Sequence, residues 1–213
     1  MPTCKKIFLF FLIACGITGA AAAQENFKEN IDYVRLVPAQ PVQNPDKIEV
    51  IEFFWYGCPH CYHFEPEVQK WLKTLPPNVQ FIRQPAIFSK PWAAHARAYY
   101  IAETLGIIEQ VHADLFDTIQ KKHQALQTQE ELAAFFIAHG VTQEAFEAAY
   151  SSFTVDTKMR LASTITGRYG ITGVPTVVIN GKYKTDGTLA KNFRNMIAVM
   201  NYLIAQESAQ PQQ

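Results

Sequence analysis

The sequence predicts an α/β fold in which an all-helical domain interrupts a strand-bearing frame. Three observations predict it. Ile48 to Trp55 (IEVIEFFW) is a nearly continuous apolar run, as expected of a central strand buried on both faces. From about Lys90 to Tyr169 the chain repeats amphipathic helical patterns without a convincing strand. The frame then resumes at Val174 to Ile179, followed by Asn180-Gly181 and Lys182 to Lys184, the signal of a two-residue hairpin.

The elements follow in order. Residues 24–32 read as a mobile lead-in. Tyr33 to Val37 suits a short edge strand, ended by the Pro38 and Pro41 region, and Asn44-Pro45-Asp46 is turn chemistry. After the apolar strand, a helix is expected from Pro59 to about Leu75, kinked by Pro66 and stopped by Pro76-Pro77-Asn78. Val79 to Arg83 is the next strand, completing a βαβ unit. Five helices should fill the middle. Thr128 and Thr142 are suited as N-caps with acidic first turns, and Gly106, Gly140 and Gly170 as helix ends. A last helix runs from Leu189 to about Ile204, and the Gln- and Ser-rich tail after Ala205 should fray. The resulting division is a leader at 1–23, a frame in two parts at 24–88 and 170–205, a helical domain at 89–169, and a flexible tail at 206–213.

The chain has 213 residues, and 19 Lys and Arg balance 19 Asp and Glu. Neutrality without a like-charged block argues against nucleic acid as a partner. The N-terminus has Lys5 and Lys6, an apolar stretch from Ile7, and Ala21-Ala22-Ala23 before Gln24, the form of a cleavable secretory signal. Leu12-Ile13-Ala14-Cys15 also resembles a bacterial lipobox, which would leave Cys15 lipidated and the protein tethered to a membrane. Cleavage, lipidation or an uncleaved anchor would each place residues 24–213 outside the cytoplasm, in an oxidising compartment.

The cysteine count then becomes decisive. Cys4 and Cys15 fall in the leader, so Cys58 and Cys61 are the only thiols of the folded part. A structural zinc site usually needs a second Cys or Cys/His pair, and none is present. A staple across so short a loop would remove little unfolded-state entropy. The pair reads as a redox reagent, and no cofactor is called for. Cys58 falls at the start of a helix with Pro59 suited to the first helical position. Free N–H groups and the positive end of the helix dipole favour a Cys58 thiolate. Cys61, one turn on, would be the buried resolving thiol, and His60 could further stabilise the thiolate.

Strand, CxxC and helix, followed much later by Val-Pro before a hairpin, resembles the thioredoxin fold. Cys58-Pro59-His60-Cys61, Glu52-Phe53-Phe54, and Gly173-Val174-Pro175 with Asn180-Gly181-Lys182-Tyr183 are similar to the signatures of the DsbA family of periplasmic thiol:disulfide oxidoreductases. The resemblance implies a thioredoxin-like fold with a helical insertion and, by thiol–disulfide exchange, introduction of disulfides into reduced, unfolded secreted proteins. It further implies a cis Pro175 against the CxxC, Val174 offering backbone groups to an extended substrate, and a monomer in the periplasm of a Gram-negative bacterium. A membrane reoxidase of the DsbB type would regenerate the disulfide. Glu52, if buried on its strand, would have a raised pKa suited to accepting the proton of Cys61; as a strand-end residue it could instead reach solvent. Arg83 is a candidate basic neighbour. Trp55, Tyr56 and Tyr62 could line a substrate groove or pack in the core. His63, His95, His112, His123 and His139 read as structural or surface residues. The alternative activity is isomerase or reductase of the same fold, against which residues 24–47 are too few for an isomerase's dimerisation domain. A binding module without turnover is disfavoured by the intact CxxC.

Overall fold

A computed structural model describes residues 26–209. The leader and its lipobox, and the last four residues of the tail, lie outside the described residues. The element order is β1 (Val34–Arg35), β2 (Ile48–Phe54), α1 (Pro59–Leu72), β3 (Val79–Pro85), α2 (Lys90–Thr104), α3 (Ile108–Gln120), α4 (Gln129–Ala138), α5 (Gln143–Tyr150), α6 (Phe153–Arg168), β4 (Thr176–Ile179), β5 (Tyr183–Asp186), α7 (Gly187–Ala190) and α8 (Phe193–Ala209). Five consecutive helices thus lie between β3 and β4, where the helical patterns of the sequence begin and end.

The sheet has the order β1-β5-β4-β2-β3. Every residue of β2 is buried, because β2 pairs in parallel with β3 on one side and antiparallel with β4 on the other. Helices cover both faces, which is why the strand needs no polar alternation. Val50 packs with Phe64, Val68 and Trp71 of α1 and with Met196, Val199 and Met200 of α8. Ile51 and Phe53, pointing the other way, pack with Tyr169 and Ile171. The period-2 alternation therefore places Glu52, like Val50, on the α1 side.

Turn and cap chemistry matches the sequence closely. Thr128 forms a full capping box with Glu131, and the Thr142 side chain accepts from the Ala145 N–H. Asn180 and Gly181 have φ of 50° and 63°, and the Lys182 N–H closes the turn on the Ile179 carbonyl at 2.9 Å. The hairpin is one residue longer than a two-residue loop, however, since Ile179 pairs with Tyr183 and leaves Lys182 between them.

Other expectations need correction. Residues 26–32 are not a loose lead-in: Phe27 packs edge-on against Tyr202, and the Lys28 N–H donates to Asp32. Helix α1 continues through Pro66 and stops at Leu72, three residues before Leu75. The last helix is split, with α7 ending at Lys191 in the left-handed region (φ 67°) before α8 begins. Residues 206–209 are helical rather than frayed. Glu207 is buried there and accepts from Asn180 Nδ2 at 2.5 Å and from Lys182 Nζ at 2.7 Å. These two contacts to the hairpin anchor the final turns of α8.

Candidate active site

Helix α1 presents the two cysteines in unlike surroundings. Cys58 is its N-cap, with extended backbone (φ −91°, ψ 115°), and Pro59 opens the helix. A proline is cheap at that position because its missing N–H would have no intrahelical partner. The Cys58 N–H donates to the Trp55 carbonyl at 2.9 Å, which fixes the approach of the chain to the helix. Cys61, one turn later, is fully buried, and both are free thiols.

The thiols are pushed in opposite directions. Cys58 falls from an ordinary 9.0 to about 6, chiefly because the Cys61 side chain donates a hydrogen bond to it. Partial burial opposes this, and the backbone N–H groups of Cys61 and His60 and the His60 charge add to it. Cys61 is raised well above 9.0, first by burial, then by its bond to Cys58 and by the charges of Cys58 and Glu52. Of the two groups expected to stabilise the Cys58 thiolate, the helix start contributes more than the exposed His60. The largest contribution comes from Cys61, whose part in this the sequence did not reveal.

The second wall of the site is the loop before β4. The Val174–Pro175 peptide is cis, and the Cys58 sulfur lies 3.4 Å from the Val174 carbonyl, to which only its protonated form donates. A cleft of about 650 Å³ opens beside it, lined by His60, Thr172, Val174, Pro175, Lys191 and Phe193 among others. His60 of the CxxC and the Val174-Pro175 loop therefore share one opening, 114 positions apart from His60 to Val174 by numbering (174 − 60).

Beneath the helix lies a buried charged group. Glu52 is 2% exposed, so it does not reach solvent at the strand end. Its carboxyl is raised from 4.5 to about 8 by burial and the nearby Glu65 charge, against the opposing pull of Arg83. Arg83 sits beside Glu52 because the two are register partners in the parallel β2–β3 pair. Its guanidinium is nevertheless turned to Glu65: Nη2 donates to Glu65 Oε1 at 2.8 Å, while Nε stands 3.9 Å from Glu52 Oε2. Gln69 also donates to Glu65 Oε1, at 2.6 Å. Sequence reasoning missed Glu65. Its position four residues after Cys61 puts it on the same buried face of α1, together with Phe64 and Val68, and that spacing was the available signal.

The aromatic residues divide. Tyr56 belongs to the core, buried and bonded through its hydroxyl to His112 Nδ1 at 2.7 Å. Trp55 is half-buried and stacks on Trp92 at 4.3 Å between ring centroids. Its indole occupies the space above Gly57, where an added Cβ would come within 2.2 Å of the ring. Tyr62, also half-buried, donates to Asp117 at 2.8 Å. Of the histidines read as structural or surface residues, His95 and His112 are buried, and His63 and His123 are exposed.

Comparison with known proteins agrees with this geometry. Residues 82–198 match the family model described as a DSBA-like thioredoxin domain. The chain is 39% identical over 203 residues to the thiol:disulfide interchange protein DsbA of Pseudomonas aeruginosa, covering 95% of this chain and 96% of that one. It is 42% identical over 196 residues to the protein of the same name from Azotobacter vinelandii, covering 92% of each. The crystal structure of Pseudomonas aeruginosa DsbA superimposes with a TM-score of 0.82 at 41% identity, over 86% of this chain and 95% of that one. That of the oxidoreductase DsbA from Xylella fastidiosa gives 0.79 at 32% identity, over 84% and 96%. With a family model matched over more than half of its length and relatives about 40% identical across nearly all of it, the chain belongs to the DsbA family of thiol:disulfide oxidoreductases.

Proposed function

We propose that this protein introduces disulfide bonds into reduced, unfolded secreted proteins in the periplasm by exchange through Cys58 and Cys61. The observation that carries the reading is the opposed tuning of the two thiols. A stabilised Cys58 thiolate favours the dithiol form and so makes the disulfide a stronger oxidant.

In the forward reaction a client thiolate attacks Cys58 of the enzyme disulfide. A client–Cys58 disulfide forms and Cys61 leaves as a thiolate. Buried as it is, Cys61 takes a proton, for which the protonated Glu52 is the donor; when the dithiol is reoxidised, Glu52 accepts that proton back. A second client thiolate then attacks the client sulfur of the mixed disulfide. Cys58 leaves as a thiolate, and its low proton affinity makes it a good leaving group. The client gains a disulfide, and the enzyme keeps two electrons as a dithiol.

Pro59 starts the helix without wasting a donor, and His60 adds positive charge beside Cys58 at the rim of the cleft. Val174 and cis-Pro175 receive an extended client segment. The helical block 89–169 is an inserted domain that closes over the end of β2. The chain acts as a monomer, and a quinone-linked membrane oxidase of the DsbB type takes the two electrons. Among the described residues no helix is long and apolar enough to cross a membrane; lipidation at Cys15 would supply a tether.

The test is to mix the oxidised protein with a reduced, denatured client that needs disulfides and to follow client thiols and mixed disulfides. Loss of two client thiols per enzyme disulfide is expected, and Cys61→Ser carrying Cys58 as a glutathione mixed disulfide should pass to the client–Cys58 adduct with release of glutathione, with no Cys61 to reverse it. Reshuffling of an already oxidised client without net thiol loss would favour the isomerase reading instead.

A further inference from the structure

The charged group beneath α1 contains two carboxylates and one guanidinium. Glu52, Glu65 and Arg83 are all buried or nearly so, with side-chain exposures of 2%, 11% and 8%. Two carboxylate anions around one cation in so dry a place are costly, so one carboxyl keeps its proton. Which one keeps it decides whether Glu52 can protonate Cys61.

The geometry around Glu65 bears on that choice. His112 of α3 places Nε2 3.5 Å from Glu65 Oε2, a charge contact just beyond hydrogen-bond geometry that a small side-chain shift would close. Its other nitrogen is bonded to the Tyr56 hydroxyl, and Nε2 makes no hydrogen bond in this geometry, with Glu65 Oε2 the carboxylate oxygen set against it. Burial lowers the proton affinity of His112 and favours the neutral ring, so one nitrogen carries hydrogen and the other a lone pair. If Tyr56 donates to Nδ1, the hydrogen lies on Nε2 and faces the carboxylate. The opposite tautomer would aim a lone pair at Glu65 and is disfavoured.

The other groups facing His112 do not alter this choice. They are Arg83 from β3, Tyr99 from α2 and Glu109 on its own helix, with Phe54 and Phe116 closing the apolar sides. Glu65 thus has Arg83, Gln69 and His112 directed at its two oxygens. Glu52 has only the Arg83 Nε at 3.9 Å, and neither atom of that pair is hydrogen-bonded.

We propose that His112 is a positioning residue for disulfide exchange: through Nε2–H it holds the single buried carboxylate anion on Glu65, keeps Arg83 there, and so leaves the proton on Glu52. Tyr56 supports this by fixing the tautomer. The inference rests on the reading of Glu52 as the proton donor to Cys61, and it assigns the control of that donor to α3, in the helical block. Glu65 lies below the ordinary carboxylate value, because His112, Arg83 and Gln69 outweigh its burial, whereas Glu52 lies above it.

The experiment is an infrared titration of the protonated-carboxyl band in the reduced protein, with Glu52→Gln and Glu65→Gln to assign it. In the unsubstituted protein the band present at neutral pH should vanish with Glu52→Gln. His112→Phe should lower the Glu52 midpoint by about one pH unit or more, roughly a tenfold loss of proton affinity. Part of the band remaining at neutral pH should then be lost with Glu65→Gln, as the proton is shared between the two carboxyls. His112→Gln, whose amide N–H can still reach Glu65, should restore most of the original midpoint, and its fold can be checked by the same thiol chemistry. An unchanged Glu52 midpoint in His112→Phe, or an equal fall in both variants, would overturn the role of His112 while leaving Glu52 as donor. Absence of any Glu52 band near neutral pH in the unsubstituted protein would overturn the Glu52 reading and this inference together.

Discussion

Replacing Cys58 by serine is expected to reduce client oxidation to the uncatalysed background. A serine oxygen cannot form the enzyme disulfide, so the oxidised state itself is lost. Cys61 cannot take over, because it is fully buried and its thiol is held well above the ordinary value. The Cys58 sulfur, by contrast, lies at the helix start facing the Val174 carbonyl, where an approaching client would meet it. The rate of thiol loss from a reduced client, measured with excess oxidant, checks the expectation. Catalysis by the Cys58→Ser protein above background would mean that Cys61 is reachable, and the assigned roles would fail.

The stability of the reduced protein relative to the oxidised one is expected to rise with pH between about 6 and 9. Cys58 in the folded dithiol has a value of about 6, against an ordinary 9.0. In that window the unfolded chain binds more protons than the folded one, so folding of the reduced form strengthens as pH increases. The contribution is complete above the unfolded value and is lost as pH falls through about 6. The full shift would be worth about 4 kcal/mol, and about 1–3 kcal/mol is expected after discounting for the solvent that reaches the helix start.

Glu52 works in the opposite sense. Its value is raised from 4.5 to about 8, so its contribution is complete below the unfolded value and is lost as pH rises through about 8. Glu52 is present in both redox forms, so the difference between them largely removes its effect; Cys61, raised above 9.0 and also titratable only in the reduced form, opposes above about 9, so between about 6 and 9 the difference follows Cys58. Denaturant midpoints of the two forms, compared at several pH values, give the answer. A difference that stays flat across the window would contradict the stabilised thiolate.

Much of this site could be read from residues alone, because its features are local. A strand buried on both faces leaves an unbroken apolar run, so Ile48 to Phe54 stood out, and Glu52 stood out within it. Cys58-Pro59 marks a helix start by the chemistry of its first turn, and Asn180-Gly181 marks a turn by its conformational needs. What stayed hidden depends on tertiary contact. Glu65 looks like an ordinary charged helix residue until Arg83 and His112 are brought to it. Glu207 lies in a polar tail that composition marks as frayed, yet Asn180 and Lys182 reach it from the hairpin. The break at Lys191 requires a left-handed lysine, which no local pattern announces. The preference of Arg83 for Glu65 over its register partner Glu52 is likewise a matter of side-chain geometry across three elements.

The central claim is that the start of α1 and its neighbours hold Cys58 as a thiolate. The most direct test is the pH dependence of Cys58 alkylation in the reduced protein, with Cys61→Ser as a check on which sulfur reacts. The account predicts a midpoint near 6, so that at neutral pH the thiolate is roughly a hundredfold more abundant than in a cysteine at 9.0. Because the Cys61 hydrogen bond is the largest contribution, the midpoint should rise if Cys61→Ser weakens that bond. A midpoint near 9.0 in the unsubstituted protein would contradict the account.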